Sequence, residues 1–267
     1  MDQAGRRLFL IRSLLGEREE YAGIHIPAEA SAQRQLLRSL MNVRPPRPAG
    51  AEFLQIQDDY LREELARAGI TESEDLEPIQ GGICLWQGDI TRLRCGAIVN
   101  AANSGMTGCY VPCHACIDNC IHTFAGVQLR LACAELMRRQ GCEEPTGQAK
   151  ITPGYNLPCG YVIHTVGPIV AGEVTAEDER LLASCYRSCL ELAEENKVES
   201  IAFCCISTGV FSFPNERAAE IAVSTVQQYL ARTGSRMKVI FNVFKDKDRK
   251  IYERLLTGDC LAQNGAE

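Results

Sequence analysis

Ser200 to Leu230 reads SIAFCCISTGVFSFPNERAAEIAVSTVQQYL. After Ser200 its first residues are apolar and include Ile201, Phe203 and Ile206, the composition of a buried strand. Ser207 to Pro214 are small, hydroxyl-bearing or turn-forming residues, and from about Asn215 apolar residues recur at helical spacing. A strand, a short turn and a helix in that order make one half of a crossover unit in a layered α/β domain.

The same alternation extends outward on both sides. The runs ICLW, AIVNA, AKITP, YVIHTV and KVIFNVF read as further strands, and Asp118–Gln140, Thr175–Asn196, Asn215–Thr233 and Asp246–Leu256 as amphipathic stretches. In the first stretch Ile121, Phe124, Ala125, Leu129, Ala132 and Leu136 are expected to form one continuous apolar stripe. This pattern predicts an α/β/α sandwich around a mixed sheet. In such sheets ligands bind beyond the carboxyl ends of the strands. Two unusual loops fall there: AANSGMTGCYVPCHAC after AIVN, and STGVFSFPNE after AFCCI. The turn at Ser207, Thr208 and Gly209 suits a phosphate, although turns of this composition also occur without a ligand.

Upstream of Ile83 the chain reads as helical. Leu8, Ile11, Leu14 and Leu15 share one face, as do Leu36, Leu37, Leu40 and Met41, and DDYLREELARAG ends on Gly69, a helix-capping residue. The prolines and glycine of VRPPRPAGAEF separate the second and third of these helices. Their apolar faces need a partner, so this region is expected to pack on the core as an extension. The terminal NGAE is expected to be disordered.

Composition narrows the function classes. A chain of 267 residues, 46% hydrophobic and 23% charged, is an ordinary globular protein of one large domain, or of one domain with an extension. A net charge of -6 argues against a large nonspecific polyphosphate-binding surface, and no nucleic-acid partner is expected. No apolar run reaches membrane-spanning length, and MDQAGRRLFLIRSLLGEREE is too short in its apolar stretch for a secretory signal, which places the protein in the cytoplasm. Most of the 14 cysteines sit in apolar runs or on helix-like segments and read as buried free thiols.

The exception is GCYVPCHACIDNCIH, Gly108 to His122. Taken by themselves, its residues admit three metal sites. Cys109, Cys113, Cys116 and Cys120 have the makings of a closed structural zinc. Cys109, Cys113 and Cys116, at C-x3-C-x2-C, suit an iron–sulfur cluster, and Cys109, His114 and Cys116, at C-x4-H-x-C, an open three-donor zinc. His122 is expected to be a hydrogen-bonded helix histidine, His164 a buried structural one, and Cys120 a packing residue.

GDIT (Gly88 to Thr91), AIVNAAN (Ala97 to Asn103), TGQAKITPGYNLPCGYVIHTVGP (Thr146 to Pro168) and STGVFSFP (Ser207 to Pro214) together resemble the macrodomains, in order and context. More narrowly, the chain resembles zinc-dependent macrodomains from microbial operons that encode a sirtuin-type ADP-ribosyltransferase. Those proteins carry a helical extension like LLRSLMNVRPPRPAGAEFLQIQDDYL. In related MacroD-type hydrolases a glycine-rich loop leads into a VDGAIH-like helix start; here CIDNCIH keeps the helix start and the cysteine and histidine cluster replaces the glycines.

The resemblance implies a three-layer α/β/α macrodomain over 73–267, with residues 1–72 as a helical extension packed on it. It implies a hydrolase that removes mono-ADP-ribose from modified proteins, with Asp or Glu esters as the linkage, zinc as cofactor and a sirtuin-type ADP-ribosyltransferase as functional partner. A lipoyl-type carrier is the implied substrate; a noncatalytic ADP-ribose reader is the alternative. On this pattern Cys109, His114 and Cys116 hold zinc, and Asn103 and Asp118 are catalytic. Asp89 and Ile90 meet the adenine, and Asn242 and Phe244 line its pocket. Ser207, Thr208, Gly209, Val210 and Phe211 wrap the pyrophosphate, and Asn103, Cys116, Ile117 and Asp118 contact the distal ribose. Asn100 is expected to support the loop backbone.

Overall fold

A computed structural model describes residues 1–258; NGAE lies outside them. The N-terminal region folds into three helices, α1 (Gln3–Leu15), α2 (Ala30–Val43) and α3 (Ala51–Ala68). Their periodic apolar faces meet in a core of their own built on Leu10, Ile11, Leu14, Leu37, Leu40, Phe53 and Leu61, which Val127 joins from outside.

The remaining elements are β1 (Thr71–Glu72), β2 (Ile83–Gln87), β3 (Leu93–Arg94), β4 (Ala97–Ala102), α4 (Ile117–Ala125), α5 (Val127–Gln140), β5 (Ala149–Pro153) and β6 (Tyr161–Val166). They continue through α6 (Ala176–Glu195), β7 (Ser200–Phe203), α7 (Asn215–Thr233), β8 (Lys238–Val243) and α8 (Asp246–Thr257). Short β1 and β3 pair in parallel beside the main sheet. The main sheet has six strands in the order β2-β8-β7-β4-β6-β5, all parallel except the last pair. This is the mixed three-layer sandwich that the alternation of strands and helices predicts. On one side α6 and α8 bring Tyr186 and Tyr252 against Phe203 and Phe241, with ring centroids 4.9 and 5.0 Å apart. On the other, α4 and α5 cover the sheet and are themselves backed by the N-terminal helices.

Two expectations are corrected. The stretch Asp118–Gln140 is not one helix with one stripe: Gly126, at φ 97, breaks it into α4 and α5. Only glycine adopts that backbone without strain, and a Cβ there would lie 2.6 Å from Gln57 and Gln128 side chains. Gln57 of α3, fully buried, accepts a hydrogen bond from the Val127 N–H and so caps α5. In consequence Phe124 is exposed, and the buried face of α5 is Val127, Leu129, Arg130 and Cys133 rather than Ala132 and Leu136. Likewise β7 ends at Phe203, so that Cys204 to Ile206 already belong to the ligand-side turn.

Candidate active site

Because β2, β8, β7, β4 and β6 are all parallel, their carboxyl ends form one rim. The loops that the sequence singles out all leave from it: Asp89 after β2, Asn242 and Phe244 at the end of β8, Ser207 to Phe211 after β7 and Asn103 after β4. Their order along the sheet separates three neighbourhoods.

At the β2 and β8 end, Asp89 starts a short 3-10 turn and accepts hydrogen bonds from the Thr91 N–H (3.0 Å) and hydroxyl (2.6 Å). The Ile90 side chain is buried. Asn242 is buried and donates to the Gly88 carbonyl at 2.9 Å, tying β8 to the end of β2. Phe244 just beyond it is 74% exposed.

In the middle, Ser207 is at φ 64 and its carbonyl accepts from the Phe213 N–H at 3.0 Å, closing the turn. Thr208 donates its hydroxyl to the Cys205 carbonyl at 3.0 Å, and the Phe211 carbonyl accepts from the Val170 N–H at 2.9 Å. The Ser207 hydroxyl is buried with no partner among the described residues, an uncommon state for a buried polar group. Gly167 lies flush against it, since a Cβ there would sit 2.1 Å from Ser207 Oγ. Gly209 borders open space and Val210 is exposed.

Past β4 the chain runs irregularly from Asn103 to Cys116, which is the N-cap of α4 and whose sulfur accepts from the Asn119 N–H at 3.4 Å. The cap directs the first turn of α4 back under the loop, so that Asp118 is buried beneath Asn103. Asn100 donates to Asp118 Oδ1 at 2.8 Å, and Asn103 donates to Oδ2 at 3.3 Å and to the Gly108 carbonyl at 3.2 Å. Burial pushes the Asp118 carboxyl up to about 6, against the opposing pull of Asn100, Arg130 and Asn103. Ile117 is half-buried beside it.

Cys109 Sγ lies 3.5 Å from His114 Nδ1. Together with Cys116 they place three donor atoms within 4.8 Å of one another. Burial foremost, with Cys109 alongside, pushes the Cys116 thiol up to about 12. Two sulfurs and an imidazole brought this close are a donor set whose chemistry fits zinc. Cys113 is not in the group: its backbone is left-handed at φ 54 and its exposed sulfur lies 3.2 Å from Ser39 Oγ on α2. Cys120 is half-buried and meets Arg38 Nη2 at 3.5 Å.

A second trio, His122, Cys133 and His164, is just as compact but wholly buried. His164 Nδ1 is 3.1 Å from Asn100 Nδ2, an atom that only donates, so the ring proton resides on Nε2, 2.9 Å from Thr152 Oγ1. Burial lowers the His164 ring to about 4 and raises the Cys133 thiol to about 12, leaving both neutral. Two of its members are engaged in hydrogen bonds, His164 with Asn100 and Thr152 and Cys133 with the His164 ring. His122 differs from expectation, since neither ring nitrogen has a hydrogen-bond partner among the described residues; Nε2 stops 3.6 Å from Asp118 Oδ1, and Gly108 packs on the ring. Asn100 also differs, bridging His164 and Asp118 instead of bracing loop backbone.

Residues the sequence did not single out complete the site. Asn119, fully buried, donates to the Cys109 and Val111 carbonyls at 3.2 and 3.0 Å. Arg130, buried on α5, stacks over Tyr110 with 4.2 Å to the ring centroid. Its one sequence signal is a charge between Leu129 and Leu131 in an otherwise apolar turn.

Comparison with known proteins agrees with the fold. The family described as Macro domain matches residues 99–222. A protein named Protein-ADP-ribose hydrolase from Treponema medium is 60% identical over 261 residues, covering 96% of this chain and all of that one. Among solved structures, the Oceanobacillus iheyensis macrodomain with ADP is similar at TM-score 0.61 and 38% identity, over 68% of this chain and 94% of that one. The Trypanosoma brucei macrodomain in complex with ADP-ribose is similar at TM-score 0.64 and 31% identity, over 82% of this chain and 94% of that one. With identity this high along nearly the whole chain, and with the rim built as described, the chain belongs to the macrodomain family.

Proposed function

We propose that this protein is a zinc-dependent hydrolase that removes mono-ADP-ribose from modified protein side chains, with Asp or Glu esters as the linkage. One observation carries the reading: a buried carboxylate, Asp118, gripped through both oxygens by Asn100 and Asn103, opens the helix directly beside the Cys109, His114 and Cys116 donor set. A protein that only reads ADP-ribose needs neither. The name of the Treponema medium relative and the ADP-ribose complex of the Trypanosoma brucei macrodomain support the activity and the ligand.

The rim orders the ligand. Asp89 accepts a hydrogen bond from the adenine amine, with the Ile90 N–H nearby, and Asn242 and Phe244 close that pocket. Ser207 to Phe211 hold the pyrophosphate, where the unpartnered Ser207 hydroxyl supplies a donor. The distal ribose then falls over β4, within reach of Asn103, Cys116, Ile117 and Asp118. There Asn103, whose amide hydrogens go to Gly108 and Asp118, accepts from a ribose hydroxyl through its Oδ1. Asp118 orients a water and accepts its proton as the water oxygen bonds to C1″ of the distal ribose and the C1″–O bond to the side chain breaks; the proton then passes to the departing carboxylate, and ADP-ribose is freed. When bound by Cys109, His114 and Cys116, zinc supplies a Lewis acid that stabilises developing negative charge or holds the ribose.

The partner implied is a sirtuin-type ADP-ribosyltransferase, with a lipoyl-type carrier as the modified substrate; the macrodomain resemblance supports both. A cytoplasmic setting is supported by thirteen described cysteines that are all free thiols. No helix among the described residues is long and apolar enough to cross a membrane.

The test incubates an auto-modified sirtuin-type transferase, or its modified carrier, with this protein and follows the label with and without chelator. Release of label that stops on chelation and returns with zinc is the expected result. Release indifferent to chelation would show that zinc is not needed, and binding of ADP-ribose without release would make the protein a reader.

A further inference from the structure

The loop that carries the three sulfur and nitrogen donors has no regular secondary structure, yet Cys109, Val111, Cys113 and His114 are each tied through a backbone group, the last two from a distant part of the chain. On α2 the positions 35, 38, 39 and 42 share one face, opposite to Leu37, Leu40 and Met41, which enter the N-terminal core. Arg38 Nη2 donates to the His114 carbonyl at 2.8 Å and to Asn119 Oδ1 at 3.0 Å. Because Asn119 spends its amide hydrogens on the Cys109 and Val111 carbonyls, Arg38 and Asn119 clamp the two limbs of the loop together. Asn42, 1% exposed, accepts the Cys113 N–H at 2.9 Å and donates to Thr123 on α4 at 2.8 Å. That bond holds the non-glycine Cys113 at its positive φ, a conformation that costs free energy without support. The third tie is Arg130, which caps the carbonyls of Met41, Asn42 and Arg44 at the end of α2 and reaches the Cys109 carbonyl at 3.4 Å.

We infer that the N-terminal helices are a working part of the donor site: Arg38 and Asn42 are positioning residues that pre-arrange Cys109, His114 and Cys116 and so set the affinity for the metal and its coordination geometry. This rests on the zinc reading proposed above. Without Arg38 the His114 carbonyl and Asn119 lose their shared donor, and the imidazole is free to turn away from the two sulfurs. Without Asn42 the Cys113 turn loses its brace, and the spacing between Cys109 and His114 relaxes with it. Both changes act on ligand orientation rather than ligand identity.

The experiment uses the full chain and compares wild type, Arg38→Met, Arg38→Lys and Asn42→Ala, with Arg67→Met, an exposed α3 residue, as control. Zinc affinity is read by competition with a chromophoric chelator, and geometry by the ligand-field bands of the cobalt-substituted protein. Arg38→Met and Asn42→Ala are expected to bind zinc about 10- to 100-fold more weakly, the usual effect of losing a group that orients a ligand, with shifted cobalt bands. Arg38→Lys, which keeps the charge but on a shorter reach and without the planar fork, should recover part of the loss. ADP-ribose affinity of the chelated proteins should stay at the wild-type value, which a general loss of folding would not allow. Wild-type zinc affinity and cobalt bands in both Arg38→Met and Asn42→Ala would overturn the inference. A wild-type chain that takes up no zinc would instead bring down the metal reading itself, and the inference with it; the two failures are told apart by the wild type alone.

Discussion

Acid should destabilise this protein through His164 by an amount that one substitution can isolate. The ring is fully buried on β6, and burial lowers its pKa from 6.5 to about 4. A histidine whose folded pKa lies below its unfolded one contributes its full stability above pH 6.5 and loses it as the pH falls toward 4. Integrating proton binding between those two values gives a loss of about 2 to 3 kcal/mol at pH 4.5 from this single ring. The groups facing it are Asn100, Thr152, the Cys133 thiol, His122 and, through Asn100, Asp118. The perturbation is His164→Asn, followed by urea unfolding of both proteins at pH 7.5 and pH 4.5 in the presence of chelator. At pH 7.5 the variant should be about 2 to 4 kcal/mol less stable, since Asn100 and Thr152 each lose a buried partner. At pH 4.5 the gap should shrink by about 2 to 3 kcal/mol, because only the wild type has the ring to protonate. His122 and Asp118 titrate in both proteins and largely cancel from the difference. A gap of equal size at both pH values would refute the reasoning. The same row links His164 to the active site, since Asn100 lies between it and Asp118.

Asp118→Ala should lower de-ADP-ribosylation about 10²- to 10⁴-fold, the range for a lost general base, with ADP-ribose still bound in calorimetry; parallel loss of binding would show that Asp118 only holds the ligand. Cys113→Asn should leave zinc content and hydrolysis at wild-type levels, because the sulfur lies outside the donor group and asparagine tolerates φ 54. A drop in zinc content on elemental analysis would place Cys113 in the site. Gly167→Ala, whose new Cβ meets Ser207 Oγ, should weaken ADP-ribose binding by about tenfold or more, as overpacking by about 1 to 3 kcal/mol displaces the turn. Unchanged affinity would mean that the Ser207 turn does not touch the ligand.

The strands were legible because each is a short β-branched run bounded by turn residues, and all six runs entered the main sheet. The helices α1, α2 and α3 were legible from their spacing. The boundary between α4 and α5 was not, because the apolar period runs on through Ala125, Gly126 and Val127 while the break depends on Gln57, from another helix, capping the second start. The buried charge of Arg130 was equally hidden, since its partners are the carbonyls at the end of α2, more than 80 residues away.

For the site the division falls along the same line. Cys109, His114 and Cys116 lie within one short loop, so chain connectivity alone keeps their donors near one another. Which cysteines turn away was decided only by tertiary packing: Cys113 faces outward because Asn42 holds its backbone and Ser39 stands beside its sulfur, both supplied by α2. Asn100 and His164 meet because β4 and β6 are parallel neighbours in a register that sets those two residues opposite each other. Periodicity specifies a strand and which of its faces is apolar, but not the register of the strand beside it, nor which distant helix closes over a loop.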